Sequence, residues 1–215
     1  MEYKKLSTML PADGILNVPG GFWFIDDLPA EASYELRLDA HVRCKFILHL
    51  GLQGHRIRRR VIFSICGENA KLDAHVLIQG AKNQCIEWVG IQRHLIGNAE
   101  SNLFIKSTAE NAVEISIISK IILDANATKS CAYFQNKNLI LSNRAHVTAR
   151  PELEIFANDV HCSHGAAIGG IDPMEEFYLR SRGISQRAVK ALLQRAFAEE
   201  ILCQMPNDMP CNQAR

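Results

Sequence analysis

The stretch from His161 to Pro173 reads HCSHGAAIGGIDP and concentrates the residue types that do chemistry. Imidazoles at His161 and His164 flank the thiol of Cys162, and Gly165, Gly169 and Gly170 follow. Imidazole and thiolate bind zinc, iron and iron–sulfur clusters, so these residues form a partial ligand set. Structural zinc would need a fourth ligand, whereas iron or a cluster tolerates this mixture if a second chain completes the site. An ordinary glycine-rich turn is the competing reading. In a strand, His161 and His164 would point to opposite faces. Ser163 beside an imidazole suggests a nucleophile, but sequence neighbours rarely reach catalytic geometry and no orienting acid is evident. The glycines lack the lysine of a phosphate-binding loop and the GxGxxG spacing of a dinucleotide site. Their role is backbone freedom where strands hand over to helices.

The elements that must position this stretch are strands. From about Val42 to Val160, short apolar β-branched runs such as KFILHL, RVIFSIC, HVLIQG and CIEWVGI alternate with polar turns such as GENAK, GNAES and DANATK. Val113-Glu114-Ile115-Ser116-Ile117 alternates with period two, the mark of a strand with one buried face. No proline interrupts the series between Pro29 and Pro151. The turns recur at an irregular spacing of roughly 12 to 18 residues and lack the Asn-Gly and Asp-Gly pairs of hairpins. That pattern fits a β-solenoid, with an antiparallel sandwich as the alternative.

The texture changes after Gly170. Asp172 can cap a helix with Pro173 at its first position, and Gly183 is a natural stop. Ser185 can cap a second helix, in which Val189, Leu192, Leu193, Ala196, Phe197 and Ile201 make one apolar stripe. The expected organisation is a β core with a short lead-in over 1–170, a helical subdomain over 171–202 and a flexible tail over 203–215.

Composition narrows the function classes. Lys and Arg total 24 against 23 Asp and Glu, which disfavours a nucleic-acid binder that works by neutralising phosphates. The one dense basic run, HRIRRR from His55 to Arg60, reads as a solvated turn or an edge strand. No window has the apolar length to span a membrane, and the first residues do not form a secretory signal. The seven cysteines are odd in number and include no CxxC pair. A reducing cytoplasm, with most thiols as inert core residues, is the expectation.

Beyond these arguments, the segment from Arg150 to Ser185 resembles the C-terminal signature of the SufB/SufD family of iron–sulfur cluster assembly proteins, SufD more than SufB. The elements that carry the resemblance are PELEIFANDV, CSHGAAIG, FYLRSRGI and the helix AVKALLQRAFAEEIL. The resemblance implies a right-handed parallel β-helix followed by a small C-terminal helical subdomain, which decides against the sandwich. It implies a non-catalytic subunit that pairs with a SufB-like scaffold and a SufC-like ABC-type ATPase. Cys162 and His164 would match the family's functional Cys and His, at a metal site shared across the subunit interface. Iron or a transient iron–sulfur cluster would pass there, with no tightly bound cofactor. Phe177, Tyr178, Leu179, Arg180, Arg182, Gly183 and Ile184 would contact the ATPase.

Two departures from the family pattern are visible. Family members carry a further N-terminal segment, so this chain reads as a short form or a fragment. The position expected for a scaffold cysteine reads FQNKNLILS, with Asn136 and only Cys131 nearby, which favours a SufD-like partner over an independent scaffold. Two other classes stay open. One is a metal-dependent hydrolase or transferase using His161, Cys162 and His164, with further ligands such as His146 or Asp159. The other is a degenerate structural paralogue that homodimerises.

Overall fold

The computed structural model describes residues 3–18, 23–51 and 54–204. Most of the expected flexible tail, from residue 205 on, lies outside the described residues. The chain opens with β1 (Tyr3–Lys5), the one-turn α1 (Leu6–Met9), β2 (Ile15–Asn17) and β3 (Trp23–Asp26). Longer strands follow: β4 (Glu31–Leu38), β5 (Arg43–Leu50), β6 (Arg56–Ile65), β7 (Lys71–Gly80) and β8 (Cys85–His94). The series continues through β9 (Glu100–Ala109), β10 (Glu114–Leu123), β11 (Cys131–Ile140), β12 (His146–Ile155) and β13 (His161–Gly170). Two helices close the described chain, α2 (Pro173–Ser181) and α3 (Gln186–Leu202).

Odd-numbered strands form one sheet and even-numbered strands the other, with every neighbouring pair parallel. The chain therefore winds as a β-solenoid with two strands per coil, ending in a small helical part. Lys71, Glu100, Cys131 and His161 follow one another in register, so one coil takes about 30 residues. The irregular turn spacing in the sequence is the half-coil.

Corners recur with the coils. Asn69, Asn98, Lys129 and Asp159 all have positive φ, and they stack at one corner. The Asn69 N–H donates to the Asn98 carbonyl at 2.9 Å, and the Lys129 N–H to the Asp159 carbonyl at 2.7 Å. Asn and Asp tolerate this left-handed conformation better than most residues, which explains the polar corner texture. At Gly97 a Cβ would sit 2.2 Å from the Thr128 carbonyl oxygen, so the corner admits only glycine.

The lumen between the sheets is the core. Phe46 and Phe63 meet edge to face across it at 5.1 Å, and Trp88, Leu103, Ile117 and Phe134 are buried in the coils beyond. Alternate residues face outward, where α3 lies on one sheet. Val189, Ala198 and Ile201 are buried there, Lys190 pairs with Glu110 at 3.3 Å, and Lys106 is paired with Glu200. The expected apolar stripe is narrower than its sequence pattern: Leu192 is 46% exposed and Ala196 is also exposed. The lumen already buries the apolar face of the strands, so only a thin contact remains for α3.

The basic run corrects another expectation. Arg56–Arg60 is neither turn nor edge but the start of β6, an interior strand between β4 and β8. Arg56 and Arg58 point outward to Glu87 at 3.2 and 3.0 Å. Arg59 points into the lumen, reaching Asp26 at 3.0 Å and the Leu28 and Pro29 carbonyls at 3.1 and 2.8 Å. Tyr34 donates its hydroxyl to the same Asp26 carboxylate. Interior arginine is tolerated here because ion pair and hydrogen bonds replace its hydration.

Candidate functional site

The last coil, β12 and β13, has no coil beyond it among the described residues. Its lumen-facing side chains therefore lie at an open end. The register places Val147, Ala149, Pro151, Leu153 and Ile155 of β12 over the buried residues Ile115, Ile117, Ser119, Ile121 and Leu123. In the same way Cys162, His164, Ala166 and Ile168 of β13 sit over Ala132, Phe134, Asn136 and Asn138. Leu153, Ile155 and Ile168 are 39, 44 and 47% exposed, whereas their counterparts one coil inward, Ile121, Leu123 and Asn138, are buried.

The backbone of this coil is half unpaired. The His146 and Phe156 N–H groups donate inward to the Val113 and Leu123 carbonyls at 2.9 Å. By the alternation of a strand, residues 147, 149, 151, 153 and 155 then turn their backbone groups to the free edge. Pro151 interrupts that row because it has no N–H. On β13 the His161 N–H donates inward to Ser130 at 3.0 Å, which leaves the backbone groups of Cys162, His164, Ala166 and Ile168 at the free edge without interruption.

The chemistry-bearing residues sort by face. Cys162 and His164 share the lumen-facing side, two positions apart, and His164 is exposed while Cys162 is half-buried. His161 and Ser163 take the opposite face, as expected for His161 on a strand. Burial raises the Cys162 thiol above its ordinary pKa, with the backbone hydrogen bond at Ala132 pulling less strongly the other way. Among the described residues no group of three His, Cys, Asp or Glu side chains is arranged to hold a metal ion. His146 and Asp159 are therefore not gathered with His161, Cys162 and His164 into the ligand set that a self-sufficient metal hydrolase requires.

The residues expected to meet an ATPase lie on and after α2. Asp172 caps α2 by accepting from the Met174 N–H at 2.8 Å, and Gly183, with φ +86°, ends the segment. No residue of α2 is buried. Phe177 and Tyr178 are 68 and 57% exposed beside Met174 at 72%. Leu179 and Ile184 are half-buried, Arg180 pairs with Glu176 at 3.8 Å, and Arg182 stacks over the Tyr178 ring at 5.3 Å. Met174, Phe177 and Tyr178, spaced three and four apart, thus share one exposed apolar face of α2. Sequence reasoning missed Leu153, Ile155, Phe156 and Ile168, because their pattern matches that of the buried coils. Only counting coils to the last one shows that they are uncovered.

Residues 34–197 match the family model described as SUF system FeS cluster assembly, SufBD core domain. The chain is 33% identical over 150 residues to the iron–sulfur cluster assembly protein SufD of Escherichia coli, covering 70% of this chain and 36% of that protein. It is 31% identical over 141 residues to an iron–sulfur cluster assembly SufBD family protein of Pyrococcus horikoshii, covering 65% and 31%. A SufBD family protein of Synechocystis is 39% identical over 106 residues, covering 49% and 23%. The matched part thus spans about a third or less of the length of these relatives.

Proposed function

The chain belongs to the SufBD core family of the SUF iron–sulfur cluster assembly system, and from that premise we propose that it acts as a SufD-like, non-catalytic assembly subunit. Its open coil would pair with a SufB-like subunit, and α2 with the following turn would engage a SufC-like ABC-type ATPase. Iron or a nascent cluster is the cargo, passed at the interface that Cys162 and His164 help to line. The observation that carries this reading is the uncovered last coil. It offers an apolar lumen layer, an unbroken row of backbone donors and acceptors on β13, and two metal-binding side chains in one place.

Each feature suits a partner that continues the solenoid. Apolar surface and a free edge are unfavourable in isolation and favourable when another sheet adds to them. Two ligands are too few for a stable metal site and enough for half of one that two chains share. A transient site of this kind suits cargo that must leave again. All six described cysteines are free, which supports a reducing compartment such as the cytoplasm. A second copy of this chain is the competing partner, since a homodimer would cover the same surface.

The test is anaerobic size exclusion with light scattering, using the chain with SufB-like and SufC-like proteins. A complex of defined mass is expected, and Ala166→Arg, which puts a charge in the lumen layer, should abolish pairing with the SufB-like chain. His164→Ala should leave that complex intact and lower cluster formation at least tenfold. Pairing that survives Ala166→Arg would place the interface elsewhere, and undiminished cluster formation by His164→Ala would remove its role.

A further inference from the structure

In the two coils beneath the open end, the lumen holds polar side chains for which the described residues offer no hydrogen-bond partner. Trp88, Gln92, Ser119 and Asn136 are 0, 0, 2 and 1% exposed. The Trp88 Nε1, both polar atoms of Gln92, the Ser119 Oγ and both polar atoms of Asn136 lack a hydrogen-bond partner. An unpaired buried polar group costs about 1–3 kcal/mol, so six such atoms in one region call for a ligand. Asn138, by contrast, accepts from Ser107 at 2.6 Å and donates to the Ala167 carbonyl at 3.0 Å.

The register brings these residues to adjoining positions. Trp88, Gly90 and Gln92 alternate along the lumen face of β8, and Ser119 is the register partner of Gly90 on β10. A Cβ at Gly90 would lie 2.9 Å from the Trp88 Nε1, so the indole N–H is folded over the glycine, whose register partner is Ser119. Asn136 lies on β11 of the facing sheet. His94 meets Ser101 across the lumen at 2.8 Å, and one coil on the same register sets Leu123 against Ala132. Four residues inward along each strand, Ser119 faces Asn136. The cover toward the open end is slight: Pro151 lies over Ser119, and Ala166 over Asn136.

We propose that this group is an internal binding site for a small cluster of water molecules, held between the Trp88 indole N–H, the Gln92 and Asn136 carboxamides and the Ser119 hydroxyl. The donor set fits a neutral ligand that both donates and accepts. Indole N–H only donates, a carboxamide does both through different atoms, and a hydroxyl does either. There is no charged side chain among the four to hold an ion. Buried waters make about three hydrogen bonds each, so six unpaired atoms suit about two of them. Such waters tie the two sheets together where apolar packing is interrupted. They also make the layer behind the open end polar rather than greasy. The inference holds whether or not the open end serves a SufB-like partner.

The test uses the full chain with Trp23→Phe, which leaves Trp88 as the single indole, together with a crystal structure at about 1.5 Å. Expected are ordered waters within hydrogen-bond distance of the Trp88 Nε1 and of at least two of the other three side chains. Water-to-indole cross-relaxation should appear in NMR spectra at the Trp88 N–H. In Gln92→Leu/Asn136→Leu the cross-relaxation should disappear and the Trp88 emission shift to the blue. A dry lumen in which Gln92 and Asn136 bond directly to Trp88 and Ser119 would overturn the proposal. If the double variant fails to fold, Ser119→Ala, which removes one partner and little volume, should reduce the cross-relaxation, and an unchanged signal would count against the site.

Discussion

Arg59 and Asp26 meet at 3.0 Å with both side chains shielded from solvent, their exposures being 2 and 0%. Burial raises the Asp26 pKa and outweighs the lowering by Arg59 and by the Tyr34 and Leu28 hydrogen bonds. The pair therefore holds its charge at a cost and is sensitive to loss of either partner. Arg59→Leu should destabilise the fold by about 3–5 kcal/mol, since it strands the Asp26 carboxylate. Arg59→Leu combined with Asp26→Leu should recover part of that loss. Urea unfolding of the three proteins measures both, and equal stability of Arg59→Leu and the parent would show that the pair does not form.

His94 predicts an acid transition. Its ring is buried, touches the Ser101 hydroxyl at 2.8 Å, and has its pKa pushed down by burial from 6.5 to about 4. The folded state thus binds a proton less readily than the unfolded state. The stability involved is fully present above about pH 6.5 and is lost as the pH falls toward 4, amounting to about 3 kcal/mol. His49 is shifted in the same direction by burial. Unfolding free energies at pH 7 and 4.5 should differ less in His94→Gln, which keeps a partner for Ser101 and does not titrate. Parallel pH profiles for the two proteins would sink the assignment.

The α2 face predicts a clean separation of binding from folding. Phe177 is 68% exposed and no residue of its helix is buried. Phe177→Asp should therefore change the melting temperature by no more than about 2 °C, in line with surface substitutions worth within about 0.5 kcal/mol. Affinity for a SufC-like ATPase should fall at least tenfold, read by calorimetric titration. Unchanged affinity would move the docking surface away from α2.

What the sequence made legible follows from the range of the interactions involved. The strand from Glu114 declares itself because its buried and exposed residues alternate within five positions. The start of α2 does so because Asp172 and Pro173 act on adjacent backbone groups. The HRIRRR run misled because outward Arg58 and inward Arg59 carry the same chemistry, and what distinguishes them is Asp26, distant in the chain. Cys162 and His164 could be picked out by residue type, but their shared place at an open end depends on β13 being the last strand of its sheet. The group around Gly90 was invisible for a similar reason. Trp88, Ser119 and Asn136 are separated by whole strands and reach adjoining positions only when coils stack.

Pro151 makes the two free edges unequal, and that inequality can be tested. Both edge strands expose ten-residue lengths of backbone, but β12 lacks a donor at its midpoint whereas β13 has none missing. Proline at an open edge is a familiar safeguard against unwanted strand pairing. Replacing it by a β-branched residue restores the donor and adds strand propensity without burying anything new, because the position faces the uncovered lumen layer. Pro151→Val should therefore raise self-association of the isolated chain, moving its concentration midpoint down at least fivefold in sedimentation velocity. The effect should vanish in Pro151→Val/Ala166→Arg, where the charge on the facing strand blocks the same end. If Pro151→Val leaves the midpoint where it was, β12 takes no part in pairing, and β13 alone carries the edge that a partner would extend.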